Sequence, residues 1–519
     1  MKRFFGALCP LLCICLLFAG CGGKDLLFTY YIDSSPDILD PQVASAPQEQ
    51  SVVTALFDGL FSMDASGRAV PCAAESYEIS SSGLVYTIHL KKDLTWRFQG
   101  SSKDDQWQEE PVRAADFVFG LQRVFLPETR SPHASTLSAI KNADAVLNGA
   151  PPSSLGVRAV DDYTIEITLD HGSDTFLEAL TCAGAMPCHQ GFFESTGGSY
   201  GLSGAALLCN GRYDLRTWND TDGVTLTAVD KKNDISRIRL PVDDGSSLVI
   251  ARLQNDEADA GLLSPTENAN GFLTEPFSTT TWVLLFNPQT TGLSEQSVRQ
   301  ALAAVALNSA AVYTPGGLEA ASGLVPPSVS LNGTPFRSEA GDAALHLSAE
   351  NAALLFRSGL SSAGLDKLSG VRVIGPDREP YRTALEGVNQ QWQKDLSAFF
   401  SLEAMEESKV LSRVRSGDFD IAFLPVSAFS NDLYTYFSIF SKGDLACAGP
   451  SDSSFAENLS SAAPGALITS AKQAENTLIQ YAAVAPLYFE NTLFARDKWL
   501  KGLYFSPFGP VLDFHSFEV

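Results

Sequence analysis

The chain has 519 residues and a formal net charge of −24, with 60 Asp and Glu against 36 Lys and Arg. A surface so negative repels nucleic acid and anionic lipid headgroups, so neither is expected as a partner. At 45% hydrophobic and 18% charged, the composition is that of a globular protein with room for two or three lobes.

Met1-Lys2-Arg3 opens an uncharged run from Phe4 to Gly20 that carries Pro10 and ends in small residues. A membrane span needs about 20 apolar residues, so this run reads as a secretory signal over residues 1–20. Leu17-Phe18-Ala19-Gly20-Cys21 resembles the bacterial lipobox, with Phe18 where Leu, Val or Ile is usual. The resemblance makes Cys21 the expected lipidation site. It implies an extracytoplasmic protein, lipid-anchored to the cell membrane at the cell surface or in the periplasm.

Farther along, Leu26 to Ile32 is rich in β-formers and reads as a buried strand. Val85 to Leu90 and Thr164 to Leu169 alternate apolar and polar, as half-buried strands do. Phe117, Leu121 and Val124 recur at helical spacing within 114–124, and the alanine-rich stretch 298–312 reads as a buried helix. A short strand at 371–374, a helix at 383–396 and a buried strand at 420–424 follow. Residues 332–341 and 449–466 read as loops. Strands alternating with helices imply mixed α/β layers.

Five cysteines follow Cys21: Cys72, Cys182, Cys188, Cys209 and Cys447. With no Cys-x-x-Cys pair, no metal site is expected; Cys182 with Cys188 or Cys209 could bridge, or all five could be free thiols. The six histidines show no ligand spacing, and the acidic loop Asp104-Asp105 with Glu109-Glu110 lacks the glycine and alternation of a calcium loop. Gly197-Gly198-Ser199-Tyr200-Gly201 matches Gly-x-Ser-x-Gly in form, but a nucleophile elbow needs a buried strand before it and a helix after. A Ser199 hydrolase is therefore the lesser reading. No enzyme and no cofactor are expected.

Several blocks, in order, resemble the family 5 extracellular solute-binding proteins of ABC importers, the oligopeptide, dipeptide and nickel class. They are Leu39-Asp40-Pro41 with Leu56-Phe57-Asp58-Gly59-Leu60; the block from Ala74 to Leu90; Pro111 to Val118; and Leu155 to Thr164. Asn210 to Tyr213, Val298 to Leu302, Gly417 to Ile421 and Ala485 to Gly502 complete the set. The resemblance implies an α/β, two-lobed type II periplasmic-binding-protein fold with an extra domain in lobe one. Lobe one would hold 24–50, 157–270 and 485–519, the added domain 51–156, and lobe two 271–484. It implies a monomer that closes on an oligopeptide or other small solute and hands it to a permease and ATPase complex.

The resemblance also implies a site. A backbone strip at Ser45-Ala46-Pro47 would grip an extended peptide, and His133 takes the position of a ligand-facing Tyr. In lobe two, Phe423, Val426 and Phe429 stand at the family's Arg, Trp and ammonium-binding Asp positions. Asn431 and Asp432 follow, with Asp432 a possible replacement for the missing carboxylate. An ammonium left without a counter-charge in a dry cleft costs several kcal/mol. The substitution therefore motivates an alternative, a non-peptide solute on the same fold.

Overall fold

The computed structural model describes residues 26–100, 108–170, 172–173, 175–230, 235–331, 333–450, 455, 459, 466–508 and 511–517. Cys21, the leader, Asp104, Asp105, His171 and most of the expected loop 449–466 lie outside them. Among the described residues, no helix is long and apolar enough to cross a membrane.

Three sheets organise the chain. Leu26–Thr29 runs parallel to Ile235–Leu240, which continues antiparallel through Gly223–Ala228 to Tyr213–Asn219. A second sheet orders Ala74–Ile79, Val85–Leu90, Thr164–Thr168 and Val157–Asp161, all antiparallel. It crosses the boundary expected at residue 156, because Val85 to His89 pair with Thr168 to Thr164. The alternating patterns explain it: Ile88, Ile165 and Ile167 all point into one core. That core also takes in the helix Ala114–Val124 and the tail residues Leu512, Phe514 and Phe517.

The third sheet has seven strands. Six run in the order Ala260–Leu263, Val484–Arg496, Leu273–Phe286, Ile421–Ser427, Arg372–Pro376 and Ser401–Met405, and Leu318–Ala320 adds to Val484–Arg496. The period-2 alternation of strands splits its packing into two layers. Trp282, Leu284, Phe286 and Phe423 face the helices Gln296–Val312 and Tyr381–Leu396, while Val283, Leu285, Leu424 and Val426 face Glu407–Arg415 and Leu467–Tyr481. Fully burying one such side chain contributes roughly 1.5–3 kcal/mol.

The long antiparallel pair Leu273–Phe286 and Val484–Arg496 joins the halves. One end packs into the first core through Phe494, stacked on Phe505 at 4.3 Å, and the other lies between the two layers above. Most expected elements are present with small shifts in their ends. The stretch 332–341 differs: Phe336–Ala340 is a helical turn, because Phe336 is drawn completely into the core beside it. All five described cysteines are free thiols.

Candidate functional site

In lobe one, the expected gripping strip is already occupied by its own neighbours. Ser45 N and Ala46 N both donate to Glu49 Oε2, at 2.8 and 2.9 Å, and Pro47 has no N–H to offer. The Ser45 carbonyl accepts from Gln50 Nε2, and the Ala46 carbonyl from the Gln50 amide. Helix formation from Pro47 explains this arrangement, since Glu49 in the first turn satisfies amides the helix itself leaves unpaired. The strip therefore has no free amide for an added strand.

A buried network holds the strip from behind. Arg123 donates to both Asp40 oxygens (3.1 and 2.6 Å) and to Gln42 Oε1 (2.6 Å), with its guanidinium 4.0 Å from the Phe193 ring centre. Gln42 passes the chain of bonds on to the Gly184 and Met186 carbonyls. His133 belongs to this scaffold as well. It is 6% exposed, and its Nε2 lies 2.9 Å from the Ala44 carbonyl, which can only accept, so Nε2 carries the proton. Burial holds its pKa below the ordinary value and keeps it neutral. Gly184 lets it pack so closely, because a Cβ there would meet His133 Cβ at 2.5 Å. The structure thus places His133 against the backbone rather than free toward a ligand.

Beside the strip, Pro47 and Gln48 line a recess of about 120 Å³ with Tyr30, Tyr31, Asp33 and Arg252. Arg252 is buried there, bonded to Asp243 at 2.8 Å and lying 3.9 Å from the Tyr31 ring centre.

In lobe two, the parallel strands Arg372–Pro376 and Ile421–Ser427 end on the same edge of the sheet. Ligands in open α/β sheets bind outside the carboxyl ends of such strands. Phe423 and Val426 lie within the strand, 0% and 3% exposed on opposite faces, so they support the edge from below and present no free surface. Phe429 lies just past the strand end and is 84% exposed. Asp432 caps the helix Leu433–Ser438, accepting from Tyr434 N at 2.9 Å and from the Thr435 hydroxyl.

A group absent from the sequence reading sits past the neighbouring strand. Arg378 lies 4.2 Å from the Tyr381 ring centre, and Tyr381 stacks on Trp282 at 3.8 Å. Trp282 Nε1 donates to Glu490 Oε2 at 2.8 Å, and burial with the nearby Glu490 carboxylate pushes the Tyr381 phenol well above its usual pKa. Half of the Arg378 side chain stays exposed beside its partner Glu407. An exposed cation on an aromatic stack suits a carboxylate or a π-face. The turn after Pro376, with its acidic and basic residues, signals only a loop in sequence, and nothing local marks the stack.

Asn431 connects the two halves. Its Oδ1 accepts from Ser330 N at 2.8 Å, and its Nδ2 donates to Glu178 Oε2 at 3.1 Å. Burial raises the Glu178 pKa, opposed by that bond. Among the described residues nothing assembles around Ser199, which is exposed, follows a helix rather than a strand, and donates to the Thr196 carbonyl.

Residues 68–445 match the family described as bacterial extracellular solute-binding proteins, family 5 middle. The chain belongs to that family. The family consists of solute-binding proteins, not enzymes. The probable deoxycholate-binding periplasmic protein YgiS of Escherichia coli is 35% identical over 202 residues, 38% of this chain and 36% of that one. The oligopeptide-binding protein OppA of Bacillus subtilis is 23% identical over 508 residues, covering 92% of this chain and 90% of its own. At higher identity the matched part is shorter: this chain spans about a third of YgiS, as of the OppA of Escherichia coli. Peptide-bound OppA of Listeria monocytogenes shares the fold over 96% of this chain and 99% of that chain, with TM-score 0.67 at 23% identity. The α/β two-lobed fold expected from the sequence is thereby established.

Proposed function

We propose that this chain is the substrate-binding component of an ABC importer, capturing an oligopeptide between its lobes and delivering it to a membrane permease and its ATPase. The observation that carries this reading is the edge past Pro376 and Ser427. Past these two parallel strand ends come an exposed aromatic, a stacked cation and an amide bonded to Glu178 of the other lobe. The proposed contacts are Arg378, Phe429 and Asn431, with buried Tyr381 supporting Arg378 from beneath, and Pro47 with the recess beside it in lobe one. We further propose that lobe one with its added domain spans residues to about 270 and the tail, and that lobe two spans the rest. Closure would turn on the shared strand pair, which two lobe crossings leave free to absorb the change in dihedrals. Acylated Cys21 tethers the protein at the outer membrane face in this reading, and it works as a monomer.

A second reading, an apolar or bile-acid-like solute, is favoured by one observation: Phe429, at the position where the family resemblance implies a carboxylate, is 84% exposed, and Asp432 caps a helix. Thermal shift separates the two. Di- to hexapeptides at a hundredfold excess over Kd stabilise by about 2.7 kcal/mol and raise the melting temperature. A rise with deoxycholate and none with any peptide assigns the second reading.

A further inference from the structure

We propose that Asp58, Cys72 and His515 form a site for a thiophilic divalent cation, zinc foremost, that fastens the end of the chain to lobe one. Their ligand atoms, a carboxylate oxygen, a thiol sulfur and an imidazole nitrogen, all lie within 4.8 Å of one another. Tetrahedral zinc with bonds of about 2.0–2.3 Å holds such atoms roughly 3.3–3.8 Å apart, so shifts of about an ångström complete the site.

Three further observations point to a cation. His515 Nδ1 lies 2.7 Å from Asp513 Oδ1, which fixes a proton on Nδ1, and Nε2 lies 3.2 Å from Asp58 Oδ1 and the Phe57 carbonyl, which only accept, so a metal would displace the Nε2 proton. That is the carboxylate–histidine pairing that orients metal-bound imidazoles. Second, Asp58 Oδ1 is sealed from solvent yet receives no aligned hydrogen bond. His515 Nε2 stands 3.2 Å away but is directed to the Phe57 carbonyl, also at 3.2 Å. Third, two carboxylates and a thiol surround one imidazole, leaving the cluster negative in a low-dielectric setting where a divalent ion offsets the cost. Cys72 and His515 are buried and Asp58 is 16% exposed, which gives an entry path. The three ligands come from the end of one helix, a strand connection and the tail, so no local spacing announces them. On binding, the Cys72 thiol and His515 Nε2 each give a proton to water, so that the thiolate and the imidazole nitrogen become ligands, with the fourth position left for water.

The test uses the untagged, chelator-treated protein titrated with cobalt(II), then with zinc. One equivalent of cobalt should give the near-ultraviolet thiolate-to-metal band and intense visible bands of a tetrahedral ion, both erased by zinc. Cys72→Ser should abolish the ultraviolet band, His515→Gln should weaken binding at least tenfold, and Cys447→Ser should change neither. Should either of the first two variants fail to fold, a zinc-induced rise in the melting temperature of the unaltered protein, absent with magnesium, stands in its place. No cobalt band, or a band that follows Cys447 instead of Cys72, overturns the proposal.

Discussion

The two faces expected to share a ligand are built on opposite plans. In lobe one the strip from Gln42 to Pro47 is closed off: Glu49, Gln50, Ser131, His133 and Arg123 consume its amides, carbonyls and side chains. In lobe two the edge past the strand ends is open, with Phe429 in solvent and Arg378 half exposed beside Glu407. The contrast shows how a clamp can divide labour. In the proposed reading, one jaw is a surface whose shape is set from within, and the other would carry the groups that choose the ligand.

Removing the support of the closed jaw should have the largest effect. Arg123→Met leaves Asp40 buried without its partner, and is expected to cost about 3–5 kcal/mol in denaturant unfolding. If the loss is under about 1 kcal/mol, as for a surface pair, the strip is not held from behind and the contrast fails. At the open jaw the pattern inverts. Phe429→Ala should leave stability within about 0.5 kcal/mol while weakening ligand binding roughly tenfold, about 1.4 kcal/mol by calorimetry. An unchanged Kd removes Phe429 from the site.

The smallest effect concerns the contact between the jaws. Burial raises the Glu178 pKa in the folded protein, so the folded form holds its proton more tightly than the unfolded one. Stability from this group is complete below the ordinary carboxylate pKa and lost as pH rises through the raised value. Glu178→Gln should flatten that slope, by about a degree or two of melting temperature between pH 4 and 7. A slope that is unchanged in the variant assigns it to other groups.

Much of the fold was legible because its patterns are local. The helix Ala114–Val124 and the strands Val85–Leu90 and Thr164–Thr168 follow their periodicities closely. The two longest strands escaped notice. Pro276 lies within Leu273–Phe286 and Pro486 within Val484–Arg496, and proline argues against a central strand. Pro486 is tolerated because the register shifts between Trp282 and Val283, opposite it. The site was less legible than the fold. Phe423 and Val426, which the family resemblance implied as ligand positions, point into the two packing layers, which only the strand's alternation in three dimensions decides. Asp432 at the head of Leu433–Ser438 was readable as a helix cap, since Asp is favoured there. Glu49 was harder to foresee, because the residue it serves is Ala46 and lacks the hydroxyl that makes a capping box recognisable.

The strand pair Leu273–Phe286 and Val484–Arg496 has a mechanical corollary. Its hydrogen-bonded ladder runs through two register shifts, between Phe277 and Thr280 and between Trp282 and Val283, and irregularities of this kind raise the local twist. Opening and shutting would then be a wringing motion of one ribbon rather than the bending of two independent strings. Melting either core frays a ladder that the other core needs, so the halves of the molecule share a single fate.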